Sequence, residues 1–216
     1  MRLFVTGATG VLGRAFRLSA QAAGHELRAP ARAELDLFDP VAVGAALHDV
    51  DAVLHLATRI PPRERMDQPE AWRENNRLRA QASAILVDAA LAAGPRIYVQ
   101  PTITFVYPDD EPVSEDTPIV DVPVILRSAL LAEQQADRFT AAGRRGVVLR
   151  LGLLDGPGTG NADPDSRFGA TLHVEDAGRA LLAALTVPSG IYNVCRDDER
   201  IGNRRFTTAT GWRSRL

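Results

Sequence analysis

The sequence contains no lysine: all 25 of its basic residues are arginine. The abundance of alanine beside them is the mark of a GC-rich coding sequence, and whatever the cause, no lysine chemistry is possible in this chain. Cysteine is almost as scarce. The single Cys195 excludes a disulfide scaffold, and no Cys/His spacing marks a metal site. Neither sign of charge dominates, and a net charge of −2 argues against a dedicated nucleic-acid or membrane-surface protein. No apolar run is long enough to span a bilayer. The run that follows Met1 stops at Gly7, too short for a signal peptide. These absences leave a cytoplasmic enzyme or binding protein with a small-molecule substrate as the expectation, with no metal, no nucleic acid and no membrane partner. What is present agrees with that. A chain of 216 residues, 45% hydrophobic and 24% charged, suits one well-buried domain over residues 1–216 better than two.

Short apolar runs alternate with stretches of helical period. Strands are expected at Leu3–Val5, Glu26–Ala29, Asp51–Leu56, Ile97–Val99, Val147–Leu151 and Ile191–Val194. Helices are expected at Val11–Ala22, Val41–Leu47, Pro69–Ala93, Val124–Ala142 and Glu175–Leu185, with Gly94-Pro95 and Gly143 as stop signals. Strands separated by helices imply βαβ units, hence an α/β, Rossmann-like, doubly wound parallel sheet covered on both faces. Two segments break the rhythm. Asp109–Pro123 is acidic and punctuated by proline, and Gly156–Gly169 is rich in turn residues, so both read as irregular surface segments.

The most specific pattern is Thr6-Gly7-Ala8-Thr9-Gly10-Val11-Leu12-Gly13, at the junction of the first strand and first helix. Gly7 permits a tight turn, Gly10 removes a Cβ from the path of a pyrophosphate, and Gly13 allows close helix–strand packing. The N–H groups and positive end of the helix then face the phosphates. A glycine triplet alone is weak evidence, but strand, turn, amphipathic helix and second strand supply the context that dinucleotide binding requires.

The G-x-x-G-x-x-G spacing resembles the short-chain dehydrogenase/reductase superfamily, and later segments resemble its extended branch, the NAD-dependent epimerase/dehydratase family. Leu35-Asp36-Leu37 is similar to the stretch whose Asp accepts from the adenine amino group. Val53 to Ala57 resembles a V-x-H-L-A strand end beside the cofactor, followed by Thr58. Ala89 to Gly94, Val106-Tyr107-Pro108, Leu149 to Gly158, His173 to Asp176, Ile191 to Val194 and the tail from Asn203 to Trp212 follow the branch's motifs in order. The resemblance implies cofactor contacts at Gly7, Thr9, Gly10, Val11, Leu12, Gly13, Asp36, Leu37, Leu56, Ala57 and Thr58. No acid closes the second strand, and Arg32 stands where many NADP-dependent relatives hold the 2′-phosphate, so NADP is expected in preference to NAD. The alternative for Arg32 is a solvated side chain.

The chain departs from the family where chemistry is done. The family uses a Tyr that transfers a proton, a Lys four residues on that lowers its pKa, and a Ser or Thr that holds the substrate oxygen. Ile125-Leu126-Arg127-Ser128-Ala129-Leu130-Leu131-Ala132-Glu133 resembles the family's Y-x-x-S-K-x-x-A-E, with Ile125 for Tyr and Ala129 for Lys. Arg79 replaces the helix Asn. Thr102 is the best match to the hydroxyl residue and Thr104 the second, with Tyr107 close by, so Thr102 and Tyr107 are the candidate catalytic residues. Their ordinary alternatives are a strand-end Thr and a buried structural Tyr. Asp109 and Asp110 are a candidate base within a segment whose usual role is solvation. His55 and His173 are expected to make structural hydrogen bonds. The segments from Gly158 to His173 and from Val194 onward are short, so the lobe that covers a sugar-nucleotide substrate is much reduced, to about 156–173 and 195–216. An atypical enzyme for a small organic metabolite is favoured, redox or non-redox, over a non-catalytic NADP-responsive protein. A homodimer through Pro69–Ala93 and Val124–Ala142 is expected from the resemblance, with Ile125, Leu126, Ala129, Leu130 and Ala136 on the contact stripe.

Overall fold

The computed structural model describes residues 1–108, 112–161 and 170–216. Candidate residues Asp109 and Asp110, and most of the Gly156–Gly169 segment, lie outside them. Six strands form one all-parallel sheet: β1 (Arg2–Thr6), β2 (Glu26–Arg28), β3 (Ala52–His55), β4 (Ile97–Ile103), β5 (Arg145–Leu151) and, after β6 and β7, β8 (Gly190–Val194). Their spatial order is β2-β1-β3-β4-β5-β8, so the chain reverses its direction of winding between β1 and β3. Ligands of doubly wound sheets sit at the carboxyl ends of strands at that point.

Strand side chains alternate between two apolar layers. Leu3, Val5, Leu54, Val99 and Leu149 pack on one side against α1 (Val11–Ala22), α6 (Val174–Ala183) and α7 (Arg204–Thr210), through Phe16, Leu181 and Phe206. Phe4, Val53, Tyr98 and Val148 pack on the other against α2 (Pro40–Ala46), α4 (Ser83–Ala93) and α5 (Arg127–Ala141), through Val43, Leu86 and Phe139. Asp39 starts α2 by accepting the N–H groups of Val41 and Ala42 at 2.9 and 3.1 Å.

The expected elements are all present, with three corrections. The helix expected over Pro69–Ala93 is instead a 3₁₀ turn (Pro69–Trp72), α3 (Arg73–Arg77), a π turn (Leu78–Ala82) and then α4. The wide turn has a local cause. Ser83 N–H reaches back five residues to Leu78 O, and the Ser83 hydroxyl takes the Arg79 carbonyl that a regular α-turn would have used, at 2.5 Å. Second, β4 runs on past Val99 through Pro101. Beyond Val99 it is paired with β5 alone, where a residue lacking an N–H is tolerated. Third, β6 (Leu153–Asp155) and β7 (Thr171–His173) form a small separate parallel ladder within what reads as irregular sequence. With α7 and the tail, this ladder is the reduced C-terminal side of the fold.

The contact stripe expected on α5 also turns inward. Leu126, Ala129 and Ala136 are buried in the monomer, whereas Val124 and Leu131 are exposed. The acidic segment after residue 111 is tied down along β8, the outer strand. Glu115 accepts the Asn193 N–H at 2.9 Å, and Arg205 donates to Ile191 O at 3.5 Å while pairing with Asp116 at 2.6 Å and Glu115 at 3.8 Å. Val113 forms an isolated bridge with Ile201.

Candidate active site and cofactor cleft

A cleft of about 730 Å³ opens at the β1/β3 switch point. Its lining brings together Gly7, Thr9, Gly10, Arg32, Asp36, Leu37, Leu56, Ala57 and Thr58, as the motif reading anticipates. Gly7 sits at φ +69°, and a Cβ there would lie 2.6 Å from the Ala57 backbone, so the turn can seat against the end of β3 only as glycine. Gly13 has the packing role: a Cβ would meet Gly7 O at 2.2 Å. Gly13, Val11 and Leu12 therefore lie under the turn and not in the cleft lining. Gly10 is the N-cap of α1, which has no capping side chain and no acid in its first turn, so nothing in the chain competes for the helix's leading N–H groups.

The outer wall was not legible in the motif. Arg59, Glu74, Arg77 and Leu78 come from segments far from the glycine turn in sequence. Glu74 pairs with Arg32 at 3.3 Å and with Arg77 at 3.5 Å, and Arg77 stacks on Phe38 at 4.1 Å. Arg32 is thus at the rim, with its side chain 82% exposed and held by a carboxylate. Asp36 accepts the Phe38 N–H at 2.9 Å.

Beside the cleft, His55 and Thr6 form a fixed relay of hydrogen bonds. The Ala57 N–H donates to Thr6 Oγ1 at 3.2 Å, and Thr6 Oγ1 lies 2.7 Å from His55 Nδ1. His55 Nε2 lies 3.1 Å from Leu78 O, which can only accept, so Nε2 carries the proton and Nδ1 accepts from Thr6. Burial pushes the His55 imidazolium down to about 4, a shift only partly offset by the Leu78 carbonyl, so the ring is neutral. His173 Nδ1 accepts the Glu175 N–H at the start of α6. Both histidines are structural, as expected.

Thr102 and Tyr107 do come together, around two residues that the motif reading left out. Thr102 Oγ1 donates to Glu133 Oε1 at 2.7 Å, and Arg150 clamps Glu133 from the next strand, Nε to Oε1 at 3.0 Å and Nη2 to Oε2 at 2.7 Å. Arg150 Nη1 donates to the Tyr107 oxygen at 2.9 Å, and Tyr107 donates onward to Asn193 Oδ1 at 2.8 Å. Burial raises the Tyr107 phenol above its ordinary value, against the opposing pull of Arg150. Burial works against the charge of Arg150, but Glu133 and Tyr107 reverse this and hold its pKa above the usual guanidinium value. Each hydroxyl therefore spends its one proton inside the network. In this arrangement neither Thr102 nor Tyr107 donates to a substrate oxygen. Ala129 is fully buried at the position the resemblance assigns to Lys.

A doubly wound parallel sheet whose switch-point cleft is floored by a glycine turn defines a dinucleotide-binding protein. The chain belongs to the NAD dependent epimerase/dehydratase family, whose model matches residues 3–172. It is 36% identical over 234 residues to a Streptomyces sp. protein named 3-diazoavenalumate denitrifying reductase, across 92% of this chain and 77% of that protein. It is 35% identical over 143 residues to the UDP-glucose 4-epimerase of Azospirillum brasilense, but spans only 39% of that enzyme. Among solved structures, MoeE5 in complex with UDP-glucuronic acid and NAD superposes with a TM-score of 0.83 at 21% identity, covering 100% of this chain and 94% of that one. RMD from Pseudomonas aeruginosa complexed with NADPH gives 0.78 at 21%, covering 100% and 95%. The latter two likenesses concern the fold. The residues fit the family's cofactor: an uncapped helix end, a side-chain-free Gly10 and the Asp36 carboxylate all belong to one cleft. Among the described residues no cluster could hold a metal ion, and no helix is long and apolar enough to cross a membrane.

Proposed function

We propose that this protein is an NADP-dependent reductase that acts without a proton donor, on a small aromatic diazo compound that loses its nitrogen as N2. The observation that carries this reading is a cofactor cleft beside an empty proton relay. Ile125 and Ala129 stand for Tyr and Lys, the chain holds no lysine, and the nearby hydroxyls of Thr102 and Tyr107 are committed to Glu133 and Asn193. The nicotinamide cofactor supplies a hydride equivalent when bound. A carbonyl that takes up a hydride also needs a proton, whereas an arenediazonium does not: the C–N bond breaks, its electron pair leaves with N2, a C–H bond forms, and charge balances. The name of the Streptomyces relative, a denitrifying reductase for a diazo compound, supports that substrate class.

The chain's own residues bind and orient. Gly7, Thr9 and Gly10 with the N-terminus of α1 hold the pyrophosphate, and Asp36 and Leu37 the adenine side. Leu56, Ala57 and Thr58 lie along the nicotinamide half. Arg32 holds the 2′-phosphate, which must take the place of Glu74 as its partner. Thr102 and Tyr107, locked through Glu133 and Arg150, are positioning residues that keep the carboxyl ends of β4, β5 and β8 in one arrangement. With an arenediazonium salt as probe, NADPH oxidation is expected to release N2 stoichiometrically, at a rate flat from mildly acidic to neutral pH because no proton is transferred. NADH should serve less well, and Arg32→Ala should remove the difference by weakening NADPH alone. Reduction of the matching aryl aldehyde at a comparable rate, or NADPH oxidation without N2, would overturn this reading.

We also infer a cytoplasmic homodimer. Exposed Val124 and Leu131, and the outer side of α4, are the remaining candidates for the shared face. Light scattering at micromolar protein should give twice the mass of the chain, and a monomeric mass would end the idea.

A further inference from the structure

The helix that walls the cofactor cleft has a second, inward side. Glu74, Arg77 and Leu78 line the cleft, while Asn75 and Arg79, about one turn apart, are buried on the other side at 0% and 7% exposure. Both carry a polar atom with no partner. Asn75 Oδ1 accepts the Arg59 N–H at 3.1 Å, but Asn75 Nδ2 donates to nothing. Arg79 Nη1 is likewise buried and unpartnered. The nearest anion cannot serve it. Glu133 attracts Arg79 through space, yet its two oxygens already accept from Thr102 and twice from Arg150, and Arg150 alone neutralises its charge. Burial lowers the Arg79 pKa without bringing it near neutrality, so the group stays cationic. Arg79 is therefore one positive charge in excess, next to a neutral amide donor. Buried donors in this condition are costly, and a charged one most of all, unless something accepts from them.

The location gives the pair a purpose. Asn75 is tied to Arg59, which together with Ala57 and Thr58 lines the cleft. Glu133 ties Arg79 to Thr102 near the carboxyl end of β4, and Thr104, just beyond, has a third buried oxygen without a partner. The orphaned groups thus gather at the carboxyl ends of β3 and β4, on the substrate side of the switch point. Their chemistry is specific: two donors, one of them cationic, and no competing acid. A monoanion with two oxygens satisfies both.

We infer that Asn75 and Arg79 form a pocket for the carboxylate of the substrate, so that this protein selects carboxylated aromatic compounds. The inference rests on the reductase reading for the word substrate, but the pocket is tested by binding, without turnover. Benzoate and benzamide are the probes, measured by calorimetry against the NADP⁺-saturated protein. Benzoate should bind and benzamide should bind at least about tenfold more weakly, since the charge-assisted contact is lost. That comparison needs no variant.

Arg79→Met should lower benzoate affinity at least about tenfold while leaving NADP⁺ affinity unchanged. Asn75→Asp is the variant that guards against misfolding. It preserves shape and gives Arg79 its own carboxylate, so thermal stability should rise while benzoate binding disappears. A purely structural role for the pair would leave benzoate affinity unaltered in the Asp variant. Equal binding of benzoate and benzamide, no benzoate binding at all, or unchanged affinity in Asn75→Asp would each overturn the proposal. Failure to reduce diazonium salts, with the benzoate preference intact, would overturn the reductase reading and leave the pocket standing.

Discussion

Glu133→Gln is expected to destabilise the protein by about 3–5 kcal/mol, read as a fall in the urea midpoint at unchanged slope. The substitution keeps the shape of the side chain and removes only its charge and one acceptor. Glu133 and Arg150 are 4% and 3% exposed, so the guanidinium left behind cannot turn to water. The new amide can still accept at one atom, but its NH2 then faces an Arg150 N–H donor across the position of a 2.7 Å contact. Thr102 or Arg150 must give up a partner in addition. The paired change Glu133→Leu with Arg150→Met is expected to cost less than the single one, because no buried charge remains. It does not come free, since Thr102 loses its acceptor and Tyr107 a donor, each worth about 1 kcal/mol. A loss under about 1 kcal/mol in Glu133→Gln would mean that water reaches the pair, and that the locked arrangement of β4, β5 and β8 is wrong.

Acid should weaken the fold before the carboxylates titrate. His55 has an ordinary value of 6.5 and falls to about 4 when buried. The unfolded chain therefore binds a proton that the folded one refuses, and stability falls as pH drops from 6.5 towards 4. The neutral ring's contribution is complete above the unfolded value, and about 3 kcal/mol of it is lost by the lower one. The expected measurement is chemical denaturation of the wild type and His55→Gln at neutral pH and at about pH 4.5, where most of that loss has occurred. The variant should start less stable, through poorer contacts with Thr6 and Leu78, yet lose less on acidification. Parallel losses in the two proteins would show that His55 is not the proton acceptor. The effect reaches the cofactor cleft, because a protonated ring can no longer accept from Thr6, whose oxygen holds the Ala57 N–H.

Much of this architecture was legible from periodicity and punctuation alone. Strands of alternating or continuous apolar residues, separated by helices and opened by TGATGVLG, imply the sheet and its switch point, and the floor of the cleft with them. The misses share physical causes. A π turn has no sequence signature here, because Leu78–Ala82 keeps helical periodicity and only the Ser83 hydroxyl marks the widening. Pro101 reads as the end of a strand unless it is known that β3 stops alongside Val99. The ladder of β6 and β7 rests on pairing between segments too short to show a period. At the site, the local motif predicts what touches the phosphates, whereas Glu74, Arg77, Asn75 and Arg79 arrive through a crossover helix. Thr102 and Tyr107 were visible as residue types, but what their protons do depends on Glu133, Arg150 and Asn193, which no spacing brings together.

The fastening along β8 has a consequence for the company this protein keeps. An outer strand normally offers a row of open amide and carbonyl groups to any extended chain that drifts past. Here the Asn193 N–H is already met by Glu115 and the Ile191 carbonyl by Arg205, and those two side chains are themselves linked and joined by Asp116. Three side chains thus do the work of a seventh strand without being one. An intruding peptide would have to break up paired charges and replace them with ordinary amide contacts, a poor exchange. At the opposite border, β2 is only three residues long and presents too little ladder to recruit a neighbour. The sheet is finished at both ends, which protects a crowded, lysine-free chain from growing into fibres through its own most regular feature.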